Sequence, residues 1–164
     1  MNHLLEVAIK LLSERHHTEH ELRQRLEKNF SNHPELDKVI ESTINRLKEL
    51  HLLNDYHTAE TLAARYAHKG NRFISQVLHQ KGISNEAIHQ ALQSVGDEYS
   101  RAIDEARRKM IGMSSESSEQ KKTRLYRFLS GRSFSFDTIK QVCNILIEQG
   151  LLDSSDESKE TLEF

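Results

Sequence analysis

Three pairs of apolar residues four positions apart recur along this chain: Leu22 with Leu26, Ile74 with Leu78, and Leu125 with Leu129. Ile74 stands fifty-two positions after Leu22, and Leu125 fifty-one after Ile74. A four-residue step puts both members of a pair on one face of a helix. The chain therefore uses a short amphipathic helix three times at nearly constant spacing. Similar punctuation follows each pair, a basic residue, a small turn-former and an apolar residue: KNF at 28–30, KGI at 81–83 and RSF at 132–134. Recurrence of this length is the signature of stacked units that bury their apolar faces against one another.

Longer helices flank each short one. One proline and six glycines leave extended windows without a breaker, and their apolar residues keep helical spacing. Upstream, the periodicity predicts helices over Leu4 to Glu14, Ala59 to His68 and Tyr99 to Ile111. Downstream, the inward faces are Val39, Ile40, Thr43, Ile44, Leu47 and Leu50; Ala87, Ile88, Ala91, Leu92 and Val95; and Ile139, Val142, Cys143, Leu146 and Ile147. Thr18 with Glu21 forms a capping box, while Ser84 and Ser135 stand where an N-cap is needed. Pro34 suits the first turn of the third helix. The insertion GMSSESSEQ, 112–120, reads as a mobile loop. The expected organisation is all-α, three tandem three-helix repeats at 1–53, 54–96 and 97–152, with an acidic, disordered tail at 153–164.

Catalytic and metal signatures are weak. No GxxxxGK[ST] loop is present. The Lys69-Gly70 and Lys81-Gly82 pairs read as helix ends, with glycine in the left-handed conformation and lysine at the negative end of the helix dipole. His16, His17 and His20 could suggest a metal site, but a cap at Thr18 divides them between two elements. A single cysteine, Cys143, lies in an apolar row and reads as a buried thiol. The expectation is a protein that is not an enzyme and needs no cofactor or metal. No apolar run is long enough to span a bilayer, and cytoplasmic residence is expected.

A net charge of -2 conceals a basic segment at 101–132 and an acidic tail. Cations cluster near the short helices: Arg23, Arg25 and Lys28; Lys69, Arg72 and Lys81; Lys121, Lys122, Arg124, Arg127 and Arg132. In a stacked array they would line up as a strip suited to an elongated acidic or phosphate-bearing partner.

The central phrase LLNDYHTAETLAARYAHKGNRFISQVLHQKGI, 52–83, resembles the signature of the RecX family, bacterial regulators of the RecA recombinase. The residues that carry it are Asp55, Ala59, Arg65, Lys69, Gly70, Ile74, Leu78, Lys81, Gly82 and Ile83. The resemblance extends into RHHTEHELRQRLEKN and KTRLYRFLSGRSFSFDTIKQV. Two departures stand out: Arg132-Ser133-Phe134 where the family usually has Arg-Gly-Phe, and Asn54 where an acidic residue is common. The resemblance implies an elongated, curved array of three-helix repeats. It also implies a protein that binds the RecA filament on single-stranded DNA and inhibits strand exchange, ATP hydrolysis and coprotease activity. A monomer is the default expectation for an array whose ends are capped by polar faces. Single- and double-stranded DNA are further candidate partners. The alternative is a stand-alone DNA-binding protein built from helix-turn-helix-like units.

Overall fold

The structure, a computed structural model, describes residues 3–153. Among them every regular element is helical: α1 (His3–Glu14), α2 (Glu19–Asn29), α3 (Leu36–Glu49), α4 (Asp55–Arg65), α5 (Asn71–Gln80), α6 (Asn85–Ser94), α7 (Glu98–Met110), α8 (Ser118–Gly131) and α9 (Phe136–Glu148). A 3₁₀ turn, Ile111–Met113, follows α7. The acidic tail beyond Asp153 lies outside the described residues.

Two compact units divide the chain, one comprising Met1–Arg65 with Ser75–Val95 and the other Tyr66–Ile74 with the chain from Gly96 onward. In the first, α1, α2 and α3 close a core around Leu4, Leu22, Leu26, Ile40, Ile44 and Leu47. Its α4 and α6 pack through alanine faces, Ala59 and Ala63 on one and Ala87 and Ala91 on the other, whose small side chains permit close approach. In the second unit, α7, α8 and α9 enclose Ala106, Met113, Leu125, Leu129, Val142 and Leu146. All six residues of the recurring pairs are 0% exposed. Burying each such side chain contributes roughly 1.5–3 kcal/mol, so these positions anchor the helices that carry them.

Several local expectations hold. The Thr18–Glu21 capping box forms in full, and the Ser84 and Ser135 hydroxyls accept from Ala87 N and Thr138 N at 3.2 Å. Other details differ for physical reasons. The α4 helix begins four residues early because Asn54 Oδ1 accepts from His57 N at 3.3 Å. Pro34 precedes α3 instead of entering it, since Glu35 before the helix is left-handed at φ 53°. Segment 112–120 is no free loop. Met113 is 1% exposed in the core, and Ser117 forms a second full capping box with Gln120 at the start of α8. Cys143 is only partly buried, at the edge of that core. Leu50 does not face inward: α3 ends at Glu49, and Leu50 just past it is 41% exposed.

The three helix ends also diverge. Gly82 is left-handed at φ 74°, as expected. Ser133 takes the same conformation at φ 64° despite having a side chain. KNF instead ends in an ordinary helical turn, Phe30 N to Leu26 O at 3.0 Å. A non-glycine residue in this conformation costs roughly 1–2 kcal/mol, partly offset because glycine gains more freedom in the unfolded chain. Ser133→Gly is therefore expected to stabilise the protein by about 0.5–1 kcal/mol, read as a higher urea midpoint at unchanged m-value.

Candidate functional site

The same junction is built once in each unit. In the first unit the Thr18 hydroxyl donates to Lys81 O at 2.6 Å, and Lys81 Nζ donates to Glu21 Oε1 at 2.8 Å. Glu19 N, at the start of α2, donates to Asp55 Oδ1 at 2.9 Å. In the second unit Gly70 N donates to Arg132 O at 2.8 Å, and Asn71 N, at the start of α5, donates to Glu98 Oε1 at 2.9 Å. Asp55 opens α4 and Glu98 opens α7. In both cases an acid at the head of one helix receives a free N–H from the head of another, satisfying a donor that the helix itself cannot. Burial pushes the Asp55 carboxyl up, against the Glu19 N–H bond. Burial would raise Glu19 as well, but hydrogen bonds from Lys48 and Arg23 outweigh it and hold that carboxyl below its usual range.

Each junction opens into a cleft. The first, about 660 Å³, is lined by Glu19, His20, Arg23, Lys48, Tyr56 and Gly82 among others. The second, about 560 Å³, is lined by Arg72, Glu98, Tyr126, Ser130, Ser133 and Phe136 among others. These clefts are the polar, recurring features on which the candidate cations can be placed.

Of those cations, several are committed to the protein's own carboxylates. Arg23 pairs with Glu19 at 3.1 Å and Glu41 at 2.5 Å, and the Glu41 bond raises its pKa. Lys81 pairs with Glu21, Arg124 with Glu116, and Arg132 with Glu105 at 3.1 Å. An aromatic face holds Lys69, whose Nζ lies 4.9 Å from the Phe73 ring centroid, and Arg132 in addition lies 4.5 Å from that of Phe128. Lys121 and Lys122 are half-buried on α8. Arg25, Lys28, Arg72 and Arg127 are exposed with no ion pair among the described residues. Those four remain free to meet an external anion without first breaking an internal bond. Only Arg23 and Arg72 of the eleven candidates line these two clefts.

Two buried polar groups mark structural positions. His17 is 2% exposed, and its Nδ1 lies 3.1 Å from Arg15 O. Burial lowers its pKa, which favours the neutral ring and assigns Nδ1 as the donor. Among the described residues no group of three or more His, Cys, Asp or Glu side chains is placed to hold a metal ion. Among the same residues no helix is long and apolar enough to cross a membrane.

Arg101 is 8% exposed and forms no ion pair among the described residues. Its guanidinium donates to Gly96 O at 3.2 Å, Ala67 O at 3.0 Å, Lys69 O at 2.5 Å, and Asn71 Oδ1. Burial lowers its pKa while the charges of Glu98 and Asp97 oppose the shift. The fork gathers the carbonyls of the α4–α5 connection and so shapes the junction that ends in Arg72. In sequence it is one more cation in a basic stretch.

Tyr126 and Phe136 were also absent from the cation pattern, although they stand 47% and 65% exposed at the second cleft. Tyr126 carried a readable signal, being an aromatic outside the Leu125–Leu129 row. Phe136 did not, because it keeps helical register with Ile139 and Cys143 and so reads as core.

Residues 96–143 match the family described as "RecX, third three-helix domain". The chain is 34% identical over 137 residues to the Regulatory protein RecX of Vibrio parahaemolyticus serotype O3:K6, covering 82% of this chain and 85% of the relative. It is 30% identical over 139 residues to the Regulatory protein RecX of Chlorobium phaeobacteroides, covering 83% and 88%. The crystal structure of RecX from Lactobacillus salivarius is similar at a TM-score of 0.72 and 25% identity, over 87% of this chain and 94% of that one.

Proposed function

The chain belongs to the RecX family, and from that premise we propose that it regulates a RecA recombinase by binding the filament which RecA forms on single-stranded DNA. In this reading it restrains strand exchange, ATP hydrolysis and coprotease activity during recombination and the SOS response. It acts by occupancy, as a cytoplasmic monomer, without cofactor or catalysis. The observation that supports this reading is the junction built twice, with a polar cleft at each copy. A surface that repeats suits a partner made of repeating protomers. Each weak contact then raises the effective concentration for the next, so affinity depends on assembled filament. The exposed, unpaired cations Arg25, Lys28, Arg72 and Arg127 are the candidates to meet acidic filament surface or DNA phosphate.

ATP hydrolysis by recombinase on single-stranded DNA, followed as this protein is titrated in, tests the proposal. Inhibition approaching one molecule per few protomers supports binding along the filament, and inhibition far below that ratio supports capping of its end. Absence of inhibition at saturation would overturn the reading. Reversing Arg25, Lys28, Arg72 and Arg127 together to glutamate should raise the half-inhibiting concentration by about tenfold or more, with helix content by circular dichroism unchanged. Unaltered inhibition would move the contact surface elsewhere.

One observation favours a second reading. Residues 101–132, all in the second unit, carry nine Lys and Arg against four Asp and Glu. A stand-alone duplex-binding protein would use such an excess, and would show tight, sequence-specific gel shifts without recombinase.

A further inference from the structure

The second cleft combines features that its role as a junction does not explain. Two aromatic rings, Tyr126 on α8 and Phe136 at the start of α9, line it while remaining 47% and 65% exposed. Arg72 lines the same cleft, is exposed, and has no ion pair among the described residues. Ser130, Ser133 and Ser135 also line it. The one carboxylate present, Glu98, is already occupied. Its Oε1 accepts from Asn71 N, and its Oε2 accepts from the hydroxyls of Ser135 and Thr138. Both its oxygens are thus engaged by donors at two helix starts, and Arg72 is the cation lining the cleft that has no ion pair among the described residues.

We propose that the cleft of Arg72, Tyr126 and Phe136 is a base-stacking site for single-stranded nucleic acid. A base would lie against the exposed rings while Arg72 meets the adjoining phosphate. An apolar peptide anchor would bury the hydroxyls and Arg72 without partners, and an acidic side chain would leave both rings in water. A nucleotide supplies a flat apolar face and an anion in one residue, which is the pairing that single-strand sites use. The basic stretch 101–132, which supplies Tyr126 and Ser130 to the cleft, has the sign this occupant requires. The inference rests on the reading that the protein works on filaments containing single-stranded DNA, but it is tested without recombinase, so the two can fail separately.

The chain has no tryptophan, so Phe136→Trp places a unique fluorescent ring at the site. Adding an oligothymidylate of about 12 nucleotides should quench it, and an abasic strand of equal length and charge should not. By anisotropy with the same labelled strand, Phe136→Ala, Tyr126→Ala and Arg72→Glu are each expected to weaken binding by about tenfold. Arg72→Glu should in addition flatten the salt dependence, which the aromatic variants leave unchanged. The variants alter exposed side chains, and circular dichroism checks that they fold. Equal affinity for the abasic strand, or unchanged binding by both aromatic variants, would overturn the site. So would quenching by free recombinase with none by oligonucleotide, which would assign the cleft to a protein contact. Loss of strand binding in Phe136→Ala with ATPase inhibition retained would uphold the stacking site and show that filament regulation does not depend on it.

Discussion

Arg101→Met is expected to lower the unfolding free energy by about 2–4 kcal/mol, the largest effect of any cation in the chain. Methionine fills much of the same volume, so the loss comes chiefly from hydrogen bonding. Three backbone carbonyls, those of Ala67, Lys69 and Gly96, would lose their guanidinium donor together with Asn71 Oδ1. A buried acceptor left without a partner costs roughly 1–3 kcal/mol, and water entering the site recovers part of that. Arg101→Lys should fall between the two, since an ammonium cannot span acceptors spread over Gly96, Ala67 and Asn71. Urea unfolding monitored by far-UV circular dichroism measures the loss. Hydrogen exchange adds a local signature, because amides of 66–74 should lose protection before those of α1–α3. A methionine variant within about 0.5 kcal/mol of the parent would show that these bonds are replaced by water at little cost.

Arg101 also shows where sequence reading reaches its limit. Helical period, apolar pairs and hydroxyl caps are local signals, and the structure places all six recurring Leu and Ile residues in the interior. They locate helices because a helix's buried stripe is written at short range. What a cation does is settled by partners far away in sequence. Arg23 and Arg72 look alike beside their short helices, yet one is held between Glu19 and Glu41 and the other faces an open cleft. Glu98 carries no sign that it serves α5 and α9 at once. The family is legible in the spacing of local motifs, while the division of cations into bonded and free is set by the fold. The aromatic pair at the second cleft fell between these levels. Tyr126 is visible as an exception to a stripe, but Phe136 mimics one.

Gly70 gives the sharpest separation between two explanations of one residue. The sequence reads it, like Gly82, as a left-handed helix end. Gly82 has φ 74°, but Gly70 is absent from the residues with positive φ. It instead precedes α5, with Ile74 N donating to its carbonyl at 3.2 Å and its own N–H donating to Arg132 O at 2.8 Å. A Cβ there would stand 2.0 Å from Ser133 O, 2.4 Å from Ser133 C and 2.6 Å from Phe134 N. All three are backbone atoms, so no side-chain rotation can relieve the clash. Gly70→Ala should therefore separate the start of α5 from the 132–134 turn and lose the bond to Arg132, a cost of about 2–4 kcal/mol. Were Gly70 needed only for conformational freedom, alanine at an ordinary φ would be neutral or stabilising by about 0.4–1 kcal/mol. The two explanations thus predict opposite signs in one unfolding measurement. The clash also lies beside Ser133 of the second cleft, so Gly70→Ala should weaken single-strand binding beyond what partial unfolding accounts for, whereas Gly82→Ala, strained at its own φ and against His20 in the first cleft, should leave that binding intact in the folded fraction.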